Sequence, residues 1–335
     1  MVPAKLAPGA AARSLLYGCL LIFCSLRGAT QSIDYRALDY GRIDSLVLTA
    51  GRKHDRSPGH LAQFIRNTFP GEHERARAIF TWMAHHIRYD VKAYHKPRKA
   101  RSRYDQVFRR KRGLCGGYAN LFEALCGLTG VESVVIEGYA REGGEKKIGV
   151  SQRRVNHAWN AVKLGGHWYP LDVTWGSGYT NYHVTKFFPY FDKTYFLARP
   201  QQFIVTHYPK DISWQLVGQP LAKKEFDFFP VPGEGFYQNQ IEAFSPANGV
   251  IRTEAGCQLQ FRFKTYDDYP LHCIVIATYR DSDDPCRDTT ESLPLFREAD
   301  GYYAFYYDVP RKGSYLLSIK INYRHTLVYR VIARQ

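Results

Sequence analysis

Apolar positions fall at helical spacing in three stretches of the first half of the chain. In His60-Leu-Ala-Gln-Phe-Ile, Leu61, Phe64 and Ile65 share one face, and Pro70-Gly71 closes the helix. Over 72–89, Ala76, Ile79, Phe80, Met83 and Ile87 recur at three- and four-residue intervals and predict a second helix. Residues 113–130 predict a third, with Tyr118, Leu121, Phe122, Leu125 and Leu128 as its buried stripe and Thr129-Gly130 as its stop. Gly116 and Gly117 stand at its start, where glycine costs little and permits close approach. Residues 31–60 are mixed and polar and give no clear element.

The period then changes from helical to strand-like. Ser133–Ala140, His157–Leu164 and 167–174 read as strands, and Gly165-Gly166 between the last two is a hairpin signal. Helices followed by a run of antiparallel strands indicate an α+β unit. Residues 226–236, rich in Pro, Gly and aromatics, read as a linker lying on a surface. Beyond 240, Gln258–Thr265 places Leu259, Phe261 and Phe263 on one face. Segments 272–279, 302–309, 315–322 and 326–332 follow at turn-bounded spacing, the pattern of an all-β sandwich. The expected division is therefore 31–220 as an α+β unit and 221–335 as a β-sandwich.

The first 30 residues differ from both. Lys5 and Arg13 precede a twelve-residue apolar run from Leu15 to Leu26, and Gly28, Ala29 and Thr30 are small. This is the layout of a signal peptide over 1–30, too short for a comfortable membrane span, and it predicts a secreted, periplasmic or cell-envelope location. Cys19 in Leu-Tyr-Gly-Cys offers one route to a membrane, as a lipid anchor. No run of 18 or more apolar residues occurs after residue 30, which excludes a multi-span membrane protein.

Composition is that of a globular protein: 335 residues, 45% hydrophobic and 23% charged, with 15% aromatics that favour strands and a filled core. Lys and Arg outnumber Asp and Glu by 46 to 31, a balance that suits acidic partners. The seven cysteines form no C-x-x-C pair, which leaves zinc-ribbon and redox-motif readings without support. Cys257, Cys273 and Cys286 are near enough in sequence for one bridge among them.

Three residues carry candidate chemistry. Cys115 precedes two glycines at a predicted helix start, where the helix dipole and free N–H groups stabilise a thiolate. His157 opens a strand in Asn-His-Ala-Trp-Asn, and Asp172 lies in the next, in Trp-Tyr-Pro-Leu-Asp-Val-Thr-Trp. Reflection about Gly165-Gly166 puts residue i opposite residue 331 − i, so His157 faces Val173 or Thr174, next to Asp172. Strands about 4.8 Å apart then allow a diagonal His–Asp contact. Taken singly, each residue has a plainer reading: a core thiol, a satisfied polar histidine, a turn or capping aspartate. Cys126, between Leu125 and Leu128, is read as core in just this way.

Gly-Leu-Cys-Gly-Gly-Tyr-Ala-Asn-Leu-Phe, Asn-His-Ala-Trp-Asn-Ala-Val and His-Trp-Tyr-Pro-Leu-Asp-Val-Thr-Trp-Gly together resemble the transglutaminase-like cysteine superfamily in order, spacing and flanks. Tyr195-Phe-Leu-Ala-Arg-Pro-Gln-Gln-Phe, His207-Tyr-Pro and Trp214-Gln-Leu look more specifically like its kyphoscoliosis peptidase branch. The resemblance covers 75–220 and extends loosely over the β region. It implies a papain/transglutaminase-like core, helices packed on an antiparallel sheet, followed by an immunoglobulin-like sandwich. It also implies acyl transfer through a thioester, with Cys115, His157 and Asp172 as nucleophile, base and orienting carboxylate.

The function expected from these features is a secreted cysteine peptidase or amidase acting on a protein or peptide substrate. The alternatives are a non-catalytic binding or scaffold protein that keeps the fold, and a protein-glutamine amine transferase. The oxyanion donors expected are the backbone N–H of Cys115 and, as a side chain, Gln106, with Tyr104 a weaker choice. The basic stretch 98–112, eight Lys/Arg against one Asp, reads as an electropositive rim attracting acidic substrate or as a solvated loop. No nucleic-acid reading motif is present, and the histidines show no H-E-x-x-H spacing, so neither a nucleic-acid partner, a metal nor another cofactor is expected.

Overall fold

The computed structural model describes residues 34–96, 102–141, 148–280 and 289–335. The signal-peptide and lipid-anchor readings of 1–30, and Cys286, lie outside the described residues. Asp34–Gln335 packs as one compact unit. Among the described residues no helix is long and apolar enough to cross a membrane.

Helices Pro58–Thr68, Glu72–His86 and Cys115–Thr129 stand where apolar spacing predicts them. Ser57 caps the first by accepting from His60 N at 3.2 Å, and Pro58 supplies a preset first turn. The second stops at His86, short of the predicted Tyr89, because Ile87 turns extended and Arg88–Tyr89 pairs in parallel with Arg112–Gly113. That pairing ties the end of one helix to the chain just ahead of Cys115. A further helix, Gly41–His54, occupies a stretch where the pattern predicts nothing. Its apolar stripe is thin, with Ile43 and Val47 buried. A polar clamp docks it instead: Asp44 takes Arg77 at 2.8 and 2.7 Å and the Thr81 hydroxyl at 2.6 Å.

The helices cover an antiparallel sheet ordered His167–Leu171, His157–Leu164, Ser133–Ala140, His207–Pro209. Its hairpin turns at Gly165 and Gly166, with φ of +55° and +85°, as a two-residue turn of this hand requires. The strand from 167 ends at Leu171 rather than at 174, because Asp172 starts a short helix, Val173–Gly176. Gly138 lets two strands close up: a Cβ there would lie 2.3 Å from Tyr208 O and 2.5 Å from the Trp159 ring.

The second half is a sandwich of two sheets. One is ordered Ile241–Ser245, Gln258–Thr265, Tyr303–Asp308, Phe296–Arg297. The other is ordered Val250–Glu254, Arg324–Arg334, Gly313–Ile321, Ile274–Arg280, Thr289–Leu293. Val250–Glu254 runs parallel to its neighbour, and the other pairs are antiparallel. Phe261 stacks on Phe305 at 5.1 Å and meets Tyr329 edge-on at 5.1 Å, so the two sheets share one aromatic core.

The surface-linker reading of 226–236 is overturned. Phe226, Phe229 and Phe236 are buried in the same cluster as the sandwich core, Phe226 and Phe236 on the short helices Lys223–Phe228 and Glu234–Gln238 and Phe229 just after the first. Aromatic rings beside Pro and Gly were here anchors, not exposed spacers. Leu128 is exposed and does not belong to the buried stripe of its helix, which runs through Leu125 and Cys126 to Thr129. Cys126 is buried as read, and Cys257 and Cys273 are free thiols, so no bridge joins them. Phe226→Ala should therefore cost about 3–5 kcal/mol in denaturant unfolding, whereas Leu128→Ser should stay within about 0.5 kcal/mol. A neutral Phe226→Ala would contradict its burial.

Candidate active site

Cys115 is the first residue of its helix and is half-buried. Leu114 before it is extended (φ −87°, ψ 175°) and gives no side-chain cap, which leaves the helix start open to another acceptor. A Cβ on Gly116 would meet nothing within 4 Å, so the expected close approach does not occur there and the space is open.

Two buried polar side chains hold this helix to its surroundings. Asn160 Nδ2 donates to Ala119 O at 3.1 Å and to Val134 O at 3.2 Å, stapling the His157–Leu164 strand to the helix. Tyr118 donates to Ile87 O at 2.8 Å and accepts from Ser177 Oγ at 3.3 Å, joining the helix to the turn after Asp172. Both residues act through tertiary partners, and sequence spacing alone marked neither as a staple.

His157 opens its strand, buried, with Gly138 opposite it. The hairpin register obeys the 331 − i rule: Asn160 faces Leu171, Ala161 faces Pro170 and Leu164 faces His167. Asp172, one residue past the strand, reaches His157 on the diagonal, with Nε2 2.6 Å from Oδ2. The other carboxylate oxygen accepts from Thr174 N at 2.7 Å and Trp175 N at 3.2 Å. Asp172 is thus both helix cap and imidazole partner, two roles the sequence reading had set against each other. Cys115 is among the groups that act on the same imidazole and raise its pKa.

Burial opposes charge on both partners, yet their mutual attraction prevails. Asp172 beside it, with hydrogen bonds to Asp172 and Cys115, holds the His157 pKa well above its usual value despite burial. Burial likewise pushes the Asp172 carboxyl up, but His157 and hydrogen bonds from both histidines keep it well below the carboxylate range. The Trp175 ring, 5.7 Å from the His157 ring, walls the pair on one side.

His207 is the residue that sequence reasoning did not place in the site. It stands opposite Ala140 on the edge strand, and its Nε2 lies 3.2 Å from Asp172 Oδ2. Its Nδ1 is 2.8 Å from Thr206 Oγ1. Burial, against the Asp172 hydrogen bond, pushes its pKa down to about 4, so this ring is neutral where His157 is cationic. The only prior signal was its position in the His207-Tyr-Pro block. His157, Asp172 and His207 bring three potential cation-binding atoms within 4.8 Å of one another. Separations of 2.6 and 3.2 Å are those of hydrogen bonds, and a cation with ligands at about 2.0–2.1 Å would have to spread the first pair.

Gln106 lies half-buried on the helix Tyr104–Arg110, and Tyr104 at the start of that helix is exposed. Gly113 packs on Val107 of the helix, which places it beside the approach to Cys115. Residues 102–112 of the basic stretch are therefore largely helix, with Val107 and Phe108 buried, and are not a loose loop. Lys111 is held over the Phe108 ring at 3.8 Å and pairs with Asp55 at 3.3 Å. Residues 97–101 lie outside the described residues.

The two histidines should give stability a maximum near pH 6.5, their usual unfolded value of about 6.5. Above it the unfolded chain loses the proton that His157 keeps, and stability falls as pH rises through the raised pKa. Between about 6.5 and 4 the unfolded chain protonates residue 207 and the folded chain does not, so stability falls with pH. One proton corresponds to a slope of about 1.4 kcal/mol per pH unit. His207→Gln should flatten the acid-side decline by about one proton's slope, read from unfolding across a pH series. An unchanged slope would mean that another group carries it.

The family model of the transglutaminase-like superfamily matches residues 59–173, which contain Cys115, His157 and Asp172. Kyphoscoliosis peptidase from Homo sapiens is 35% identical over 229 residues, 68% of this chain and 34% of that protein. The Mus musculus protein of that name is 36% identical over 183 residues, 55% of this chain and 28% of that one. Hillarin from Drosophila melanogaster is 24% identical over 307 residues, 85% of this chain and 37% of that protein. The chain thus spans about a third of the length of the curated relatives it matches. On the matched region and these identities, the chain belongs to the transglutaminase-like superfamily, in its kyphoscoliosis peptidase branch.

Proposed function

We propose that the chain is a cysteine hydrolase, a peptidase or amidase that works through Cys115, His157 and Asp172. The observation that supports this reading is the buried His157–Asp172 pair at 2.6 Å, with Cys115 at an uncapped helix start among the groups acting on the imidazole. Cys115 reacts as the thiolate, its proton held by His157. The thiolate attacks a carboxamide carbonyl, and the backbone N–H of Cys115 faces the developing oxyanion. Gln106 is the proposed side-chain donor to the same oxygen. The C–N bond breaks as His157 gives its proton to the leaving amine, and a thioester remains. Water attacks the thioester and gives a proton back to His157; the C–S bond breaks and the ion pair is restored. Asp172 holds the imidazole in one tautomer and orientation throughout.

The proposed substrate is a protein or peptide. Transfer to an amine instead of water uses the same acyl-enzyme, so the acceptor is what experiment must decide. Iodoacetamide should label Cys115 rapidly at neutral pH and label His157→Ala at no more than the rate of a denatured control. Hydrolysis of a peptide library should vanish in Cys115→Ala and fall by about 10³–10⁴ in Asp172→Asn. Wild-type labelling no faster than the denatured control would sink the enzyme reading in favour of a binding or scaffold protein. Cys115-dependent incorporation of a labelled primary amine into a glutamine-rich protein would replace hydrolysis with amine transfer.

A further inference from the structure

We propose that His207 is a positioning residue of this site: it donates from Nε2 to Asp172 Oδ2 and thereby fixes the carboxylate that orients His157. The proposal rests on the triad reading above and adds a fourth member to it. Asp172 Oδ2 is shared by two imidazole nitrogens, His157 Nε2 at 2.6 Å and His207 Nε2 at 3.2 Å. Oδ1 is taken by the Thr174 and Trp175 N–H groups. The carboxylate is therefore held by donors on both oxygens, and rotation about its Cβ–Cγ bond would break several hydrogen bonds together.

A neutral imidazole can donate from only one nitrogen, so the tautomer must be set. Asp172 Oδ2 only accepts, which calls for the hydrogen on Nε2, and Thr206 is placed to donate to Nδ1. Its hydroxyl lies 2.8 Å from His207 Nδ1, 3.1 Å from the Tyr237 hydroxyl and 3.3 Å from Phe203 O. If Tyr237 donates to Thr206 Oγ1, the Thr206 proton is free to go to Nδ1, which leaves Nε2 as the nitrogen carrying hydrogen. The ring itself is clamped, stacked on Phe203 at 4.0 Å and 11°, with Trp175 at 4.4 Å on another side. The charged groups acting on it are Asp172 and His157, and the Tyr195 ring faces it at 6.4 Å. A neutral second ring gives Asp172 a donor without a second positive charge competing with His157 for it. The arrangement serves orientation and leaves the exchangeable proton on His157.

The test is the pH profile of Cys115 alkylation by iodoacetamide in wild type, His207→Phe and His207→Gln. Phe keeps the ring stack and removes the donor, whereas Gln can return an N–H near the Nε2 position. Loss of the donor weakens the Asp172 anion, hence the His157 cation and the thiolate it supports. His207→Phe should therefore slow alkylation at pH 6 by about tenfold and move the acid limb to higher pH, and His207→Gln should recover part of both. Thermal unfolding of each variant checks that the fold persists. Should His207→Phe not fold, Thr206→Val reads the same shift, smaller, through the freed tautomer. A profile that superimposes on wild type in the folded variants overturns the role of His207 and leaves the triad standing. Slow, His157-independent alkylation in wild type overturns the triad and this proposal together.

Discussion

The buried Asp172 carboxylate is the constraint on which the rest of the site depends. A carboxylate removed from water costs several kcal/mol unless charge and hydrogen bonds replace its hydration. Asp172 is buried, and two backbone N–H groups and two imidazoles take that place. Each of these donors must be delivered by a different part of the fold. The short helix Val173–Gly176 brings the N–H groups, the central strand brings His157 and the edge strand brings His207. Forming the anion and assembling the site are thus the same event.

The geometry around that anion is kept by groups that do no chemistry. The two-glycine turn fixes the register that sets His157 diagonal to Asp172. Asn160 and Tyr118 then lock the Cys115 helix to the sheet and to the turn after Asp172. Gly138, by lacking a Cβ, allows the edge strand to come near enough for His207 to reach the same oxygen. A slip of one residue in the hairpin would turn His157 to the opposite face, so the His157–Asp172 contact depends on this register.

The second half of the chain is joined to the first by aromatic burial and by several hydrogen bonds, one of them near the site. Ile204, Val205 and Tyr208 belong to the same apolar cluster as the sandwich core. Tyr237, on the helix Glu234–Gln238 ahead of the sandwich, meets Thr206 beside His207. The segment read as a surface linker is in fact where the two halves interlock. Its rings bury because strands of the sandwich lie beneath them, a fact that exists only once the chain has folded.

By itself the sequence determined most of the helices and strands, the hairpin register and the His157–Asp172 contact. Those features are local: periodicity, a paired glycine turn and short motifs each act over a few neighbouring residues. It did not reveal the helix Gly41–His54, because an ion pair from Asp44 to Arg77 docks it where an apolar stripe would otherwise be read. Nor did it reveal that Asp172 caps a helix while bonding an imidazole, or that His207, 35 residues further on, shares the same oxygen. These were decided by tertiary structure alone, because a hydrogen bond between strands that are distant in sequence leaves no periodic trace along the chain.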